Sequence, residues 1–167
     1  KKIICGEDNN ILIEGDNYHA LTSLNFIAKE SVDIVYIDPP YNTGHEDFIY
    51  NDNYVDSEDG YRHSKWLSFM QKRLALSKEL LKEKSLLFIS IDDREYAQLK
   101  LLCDSIFGER NFVANLKWKK KKQPSFLSNV AGILEYVLVY SKNAGLIKKL
   151  SIEQLQDSDK PVINAGN

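Results

Sequence analysis

The sequence predicts an α/β fold on a mostly parallel sheet, with an antiparallel strand pair at the C-terminal end. Three observations carry this. Short apolar runs alternate with helix-period segments from residue 11 to residue 107, the order that strand–helix–strand units with right-handed crossovers produce. The segment Ser85-Leu86-Leu87-Phe88-Ile89-Ser90-Ile91 is an almost unbroken apolar run, as a strand covered on both faces must be. The last two strand-like segments, 111–118 and 133–140, have no helix between them, so they are expected to pair antiparallel.

Taken in order, Ile11-Leu12-Ile13-Glu14 reads as the first strand, and 17–28 as a helix with Ala20, Leu21, Leu24 and Ile27 on one apolar stripe. The run Val32-Asp33-Ile34-Val35-Tyr36-Ile37 reads as a buried strand, followed by a long polar loop, 38–60. A helix over 61–82 carries Trp66, Leu67, Phe69, Met70, Leu74, Leu76, Leu80 and Leu81. Trp66 and Tyr61 belong on its face against the core or the loop, not against a base. After the strand 85–91, Asp92 and Glu95 have the spacing of a capping box for a helix over 93–107. Gly108 suits its C-terminal end. The stretch 151–167 is polar and is expected to fray. No internal repeat is present.

A chain of 167 residues, 43% hydrophobic and 28% charged, has the size and composition of one globular domain. No apolar run nears the roughly 20 residues of a membrane span. The start, Lys1-Lys2-Ile3-Ile4-Cys5-Gly6, lacks the apolar stretch of a secretory signal. The cytoplasm is the expected location, with no membrane partner. Cys5 and Cys103 are the two cysteines; they read as a surface thiol and a helix-face thiol, not as a disulfide. His19, His45 and His63 have no ligand spacing, so no metal is expected. A net charge of −2, from 22 basic and 24 acidic residues, excludes a protein built to coat nucleic acid. The charge is uneven, however. Residues 44–60 hold Glu46, Asp47, Asp52, Asp56, Glu58 and Asp59 with no Lys or Arg, whereas Lys117 to Lys122 place five lysines in six positions. That lysine run is either a solvated loop or a phosphate-contacting patch. In the second reading Lys119, Lys120, Lys121 and Lys122 give affinity and salt dependence without reading sequence.

The most informative residues are Asp38-Pro39-Pro40-Tyr41, directly after the strand 32–37. Ligands bind at the carboxyl ends of strands in open α/β sheets. The two prolines fix φ at successive positions and remove two amide donors, and Asp38 is driven towards extended backbone by the proline after it. The product is a stiff elbow presenting a carboxylate, bare carbonyls and an aromatic ring, which suits an exocyclic amine on a flat ring. The other reading is a rigid turn without chemistry.

This four-residue signature resembles the catalytic motif of the DNA amino-methyltransferases that modify adenine N6 or cytosine N4. Ile11-Leu12-Ile13-Glu14-Gly15-Asp16-Asn17, His63-Ser64-Lys65-Trp66-Leu67, Phe88-Ile89-Ser90-Ile91-Asp92-Asp93 and Glu135-Tyr136-Val137-Leu138-Val139-Tyr140-Ser141-Lys142 extend the resemblance. Together they look like the modification subunit of type III restriction–modification systems, from about residue 10 to residue 143. The resemblance implies a partial Rossmann-like methyltransferase sheet and methyl transfer from S-adenosylmethionine to the N6 amine of a flipped adenine. Asp38 and the Pro39 carbonyl would accept hydrogen bonds from the amine, drawing its lone pair towards the methyl donor; Tyr41 would stack on the base, worth on the order of 1–3 kcal/mol. An aspartate at the first position favours adenine over cytosine. Gly15-Asp16-Asn17 starts the helix, with Asp16 or Asn17 as N-cap. By resemblance Asp16, Asn17 and Asp38 also lie by the cofactor, and the two readings can both hold. The implied partners are double-stranded DNA, a restriction subunit, and a second copy or complementing methyltransferase half.

The family's glycine loop, of the form Phe-x-Gly-x-Gly, has no counterpart here: none of the eight glycines lies within two positions of another. In one permuted class the catalytic half comes first and the glycine loop last. The expectation is therefore a catalytic portion over 1–143 and a polar tail over 144–167, which would open the target-recognition region. The chain would be a fragment, a truncated product or half of a split enzyme, binding S-adenosylmethionine weakly or not at all by itself. The alternatives are cytosine-N4 methylation and a non-catalytic remnant that binds DNA or a partner subunit. In the family sheet two strands separate 11–14 from 32–37. Without them, 11–14 and its helix are expected to be loosely held, to re-dock by pairing 11–14 directly with 32–37, or to be completed by another chain.

Overall fold

A computed structural model describes residues 2–5, 10–44, 48–50, 53–119 and 134–148. The elements run β1 (Lys2–Cys5), β2 (Ile11–Glu14), α1 (Asn17–Ile27), β3 (Val32–Ile37), β4 (Ile49–Tyr50), β5 (Asn53–Tyr54), α2 (Arg62–Leu80), β6 (Leu81–Ile91), α3 (Tyr96–Phe107), β7 (Phe112–Lys119) and β8 (Leu134–Ser141), with 3-10 turns at Glu109–Asn111 and Ala144–Leu146.

Four strands form the central sheet, in the order β3-β6-β8-β7. β3 pairs parallel with β6, and β8 pairs antiparallel with both β6 and β7. Three strands therefore point one way, and β8 runs against them from between two of them. The expected fold class holds, including the antiparallel pair of β7 and β8. β6, bonded on both sides, is the centre of the core: Leu87, Ile89 and Ile91 are wholly inaccessible. They meet Trp66, Met70 and Leu74 of α2 and Leu99 and Cys103 of α3 in one cluster. Burial pushes the Cys103 thiol up to about 12, so it is an inert packing group.

β6 starts at Leu81, four residues before the predicted strand. α2 passes into it without a loop because Leu81 takes extended backbone, is fully buried, and bridges to Val32.

The pairing of 11–14 with 32–37 does not occur. β2 instead pairs antiparallel with β1, an unpredicted strand, in the register Lys2↔Glu14 to Cys5↔Ile11. The reason lies in α1, which α2 holds in place. Asn25 Nδ2 donates to the Leu76 carbonyl at 3.1 Å, and Arg73 bonds both Asp16 and Asn17. So anchored, β2 takes its ladder from the chain before it. Among the described residues β3 is left as an edge strand of the central sheet, with Ile34 62% and Tyr36 64% exposed; Phe26 and Ile27 at the end of α1 are 86% and 78% exposed.

The capping box at α3 also fails. Asp92 accepts from the Arg94 amide at 3.0 Å and pairs with the Arg94 guanidinium. Glu95 is the N-cap residue but its side chain makes no cap bond. It is fully buried and turned inward. A stronger use for that carboxylate, inside the molecule, displaces the local one. Tyr61 departs from expectation too. It sits at the N-cap of α2 with 75% exposure, while Trp66 takes the predicted place inside. The stretch 151–167 lies outside the described residues.

Candidate active site

The strand β3 ends at Ile37, and the next five residues form a tightly held elbow. Asp38 is exposed, Pro39 is buried and Pro40 and Tyr41 are partly buried. Pro40 offers its carbonyl to Trp66, whose Nε1 donates to it at 2.7 Å. Asn42, 1% exposed, has φ +56, a left-handed conformation that Asn adopts more readily than most residues. Burial, reinforced by the neighbouring Asp38, pushes the Tyr41 hydroxyl up to about 12.

Asp38 stands between two cavities. The first, about 310 Å³, lies between the start of α1, the end of β3 and one face of α2; Asn17, Leu21, Asp38, Phe69, Met70 and Arg73 are on its walls. Arg73 lies with its guanidinium 3.6 Å from the centre of the Phe69 ring. Its Nη2 is 3.1 Å from Asp16 Oδ2. The predicted N-cap role of Asp16 holds, since it accepts from the Tyr18 and His19 amides at 3.0 and 3.3 Å. Burial works against ionisation of Asp16, but the His19 amide, Arg73 and the Tyr18 amide outweigh it and hold the carboxyl below its ordinary value. Asn17, not Asp16, is the member of that pair on the cavity wall.

The second cavity, also about 310 Å³, opens over the β6–β8–β7 side of Asp38 and is walled by Tyr36, Asp38, Tyr41, Ser90, Trp118 and Tyr136. Four aromatic rings thus share this cavity with the carboxylates of Asp38 and Glu135. The Tyr36 and Ser90 hydroxyls are 2.6 Å apart. Tyr136 is tilted 46° against Tyr96 at 4.7 Å. Its hydroxyl is shifted upward, chiefly by its hydrogen bond with Asp93. Trp118 is 66% exposed on β7.

The family model for DNA methylases matches residues 32–165, a span that takes in the elbow and most of the walls of both cavities. The chain belongs to that family. The Mod subunit of the type III restriction-modification enzyme StyLTI of Salmonella typhimurium is 42% identical over 177 residues, covering 91% of this chain and 27% of that protein. The EcoP15I Mod subunit of Escherichia coli is 37% identical over 180 residues, covering 94% and 28%. The chain therefore spans about a quarter of the length of these curated relatives. A DNA modification methylase of Thermus thermophilus, solved in complex with S-adenosyl-L-methionine, shares the fold at TM-score 0.57 and 20% identity over 86% of this chain and 58% of that one.

In this member of the DNA methylase family, Asp38, Pro39, Pro40 and Tyr41 form one rigid unit, with Asn17 across the first cavity. Lys119 is the exposed last residue of β7, next to Trp118; Lys120, Lys121 and Lys122 lie outside the described residues. Sequence reasoning missed Arg73, Tyr36, Ser90, Trp118, Asn42 and Glu95. Trp118 had a signal, an aromatic set among lysines. Ser90 lay within the Phe88–Asp93 segment of the resemblance without being singled out, and Arg73 had no signal, since a helix-face arginine is ordinary. No group of His, Cys, Asp or Glu among the described residues could hold a metal. No described helix is long and apolar enough to cross a membrane.

Proposed function

We propose that this chain carries the catalytic motif of a DNA amino-methyltransferase that methylates adenine N6 within a restriction–modification system. The observation that supports it is the place of Asp38, on the shared boundary of two cavities of similar size. A group-transfer site needs that arrangement, with donor and acceptor on either side of one polar group.

In this reading the first cavity takes S-adenosylmethionine. Asn17 offers an amide beside a wall of Leu21, Phe69 and Met70, a donor set that suits a nucleoside flanked by apolar surface. Asp16 supports Asn17 from behind through Arg73. Bound there, the cofactor supplies an electrophilic methyl group. The second cavity takes the flipped base, between Tyr41, Tyr36, Trp118 and Tyr136. Asp38 and the Pro39 carbonyl accept hydrogen bonds from the two amine N–H groups and hold the nitrogen towards the first cavity. Orientation of this kind removes a large part of a barrier. Lys119, with Lys120, Lys121 and Lys122, meets the phosphates beside the base. Double-stranded DNA is the substrate. The exposed edge of β3 and the apolar end of α1 suit a further methyltransferase segment, a second copy of the chain or a restriction subunit.

The test is digestion of DNA to nucleosides after incubation with the full protein and isotopically labelled S-adenosylmethionine. Labelled N6-methyladenine, identified by mass spectrometry, is expected. Labelled N4-methylcytosine would move the chain to the cytosine class, and no labelled base would overturn the reading.

A further inference from the structure

The sequence places Glu95 in the first turn of the helix expected over 93–107, where a carboxylate ordinarily completes a capping box. The structure gives it different work. Glu95 is wholly inaccessible, and a single oxygen, Oε1, meets both Asn42 Nδ2 and His63 Nδ1 at 2.6 Å. Its other oxygen, and Oδ1 of Asn42, are buried without a hydrogen-bond partner among the described residues. Burying a carboxylate is costly unless it is well paired, and this one forms no helix cap that could account for it.

What it holds is the end of the catalytic elbow. Pro39 and Pro40 have fixed φ, and Trp66 fixes the Pro40 carbonyl. The adjustable joint on the loop side of Tyr41 is the backbone of Asn42, which sits in the left-handed region. That conformation is unfavourable for a residue with a side chain and persists where its surroundings enforce it. The Asn42 side chain is locked to Glu95 at the start of α3, and Glu95 in turn to His63 in the first turn of α2. Three elements meet at one oxygen, immediately behind the residue that would stack on the base.

We propose that Glu95 is a positioning residue for methyl transfer: as the acceptor for Asn42 it fixes the turn that aims Asp38 and Tyr41 at the substrate amine. This rests on the methyltransferase reading above. Glu95 lines neither cavity, so it acts only through Asn42, with His63 holding the carboxylate in place.

The experiment compares four variants of the full protein in steady-state methyl transfer: Glu95→Ala, Glu95→Gln, Asn42→Asp and the double variant Asn42→Asp/Glu95→Gln. Gln at 95 keeps an acceptor oxygen for Asn42. Asp at 42 sets carboxylate against carboxylate, and the double variant restores a donor–acceptor pair in the reverse sense. Glu95→Ala and Asn42→Asp are expected to lower kcat roughly 10–100-fold, with KM for DNA little changed, as misplacement of a reacting group does. Glu95→Gln and the double variant are expected to recover most of that activity. Full activity in Glu95→Ala, or a double variant no better than Asn42→Asp, would overturn the proposal. If Glu95→Ala does not fold, the comparison of Asn42→Asp with the double variant decides.

Hydrogen exchange of a peptide spanning residues 38–44 separates this proposal from the one it rests on. A wild-type protein that methylates nothing defeats the methyltransferase reading. The clamp is then judged by exchange alone: faster in Glu95→Ala and Asn42→Asp and slowed again in the double variant if it holds, equal in all four if it does not.

Discussion

Trp66 Nε1 donates its one hydrogen bond to the carbonyl of Pro40, 2.7 Å away and 26 residues earlier in the chain. The indole is wholly buried, so the bond is made out of water, where losing it leaves an unsatisfied acceptor. Trp66→Phe keeps most of the packing and removes the donor. It is expected to cost about 1–3 kcal/mol for the stranded carbonyl, less than the roughly 3–5 kcal/mol of Trp66→Ala, which also opens a cavity. Urea denaturation of the three proteins checks the ranking. A Phe variant as stable as wild type would show that water satisfies Pro40.

Asp38 is exposed, and its bonding partner in the elbow is the nearby Tyr41 hydroxyl, so its removal should not disturb the fold. Asp38→Ala is expected to reduce methyl transfer by on the order of 10² to 10³-fold, the scale of a lost preorganised hydrogen-bond partner at the reacting group, with DNA affinity nearly unchanged. Single-turnover rates beside fluorescence anisotropy of labelled DNA separate the two. Equal losses in rate and affinity would make Asp38 a shaping residue instead.

The central sheet was legible because each of its strands carries its own local signal. β6 reads as an apolar run, β3 as a run ended by Asp38-Pro39, and β7 and β8 as neighbours without a helix between them. The elbow was legible for the same reason, since two prolines dictate backbone whatever surrounds them. What stayed hidden depends on contacts between distant residues. Glu95 looks like a cap until Asn42, 53 positions away, is found against it. The antiparallel partner of β2 could not be read either: 2–5 is too short to have a period, and its pairing follows from the anchoring of α1 by Arg73. The second cavity needed Tyr36, Ser90, Trp118 and Tyr136 to converge from four strands, which no spacing along the chain displays.

Beneath β8, Asp104 supplies a pH dependence with a definite sign. Burial opposes its ionisation, but Lys100 Nζ at 2.7 Å and the Tyr140 hydroxyl donating at 2.7 Å outweigh that, and its carboxyl lies below the ordinary 3.8. A carboxyl with a depressed value in the folded state contributes its stability in full above the unfolded value. It loses that contribution as pH falls through the folded one. The effect therefore belongs below about pH 4. Asp104→Asn is expected to lower stability at neutral pH and to flatten the acid limb of a plot of urea midpoint against pH. An acid limb as steep in the variant as in wild type would assign the loss to other carboxylates.

The lysines after β7 separate a solvated loop from a DNA contact. Lys119 extends the strand that carries Trp118, so a phosphate held there would lie beside the aromatic cavity. Replacing Lys119, Lys120, Lys121 and Lys122 together by Gln removes four charges without shortening the side chains to stubs. If all four meet phosphates, the slope of log affinity against log salt should flatten by about 0.9 for each phosphate no longer neutralised. The fall in affinity should be the same for target and unrelated DNA, because phosphate contacts carry no sequence information. Anisotropy titrations at several salt concentrations, on both DNAs, give slope and selectivity together. A fall confined to the target sequence would turn the lysines into base readers, and an unchanged slope would leave them a solvated loop. The quadruple variant should also keep its melting temperature, since Lys119 is exposed and sits at the end of its strand. A large drop in that temperature would mean the loop had been holding the end of β7 in place.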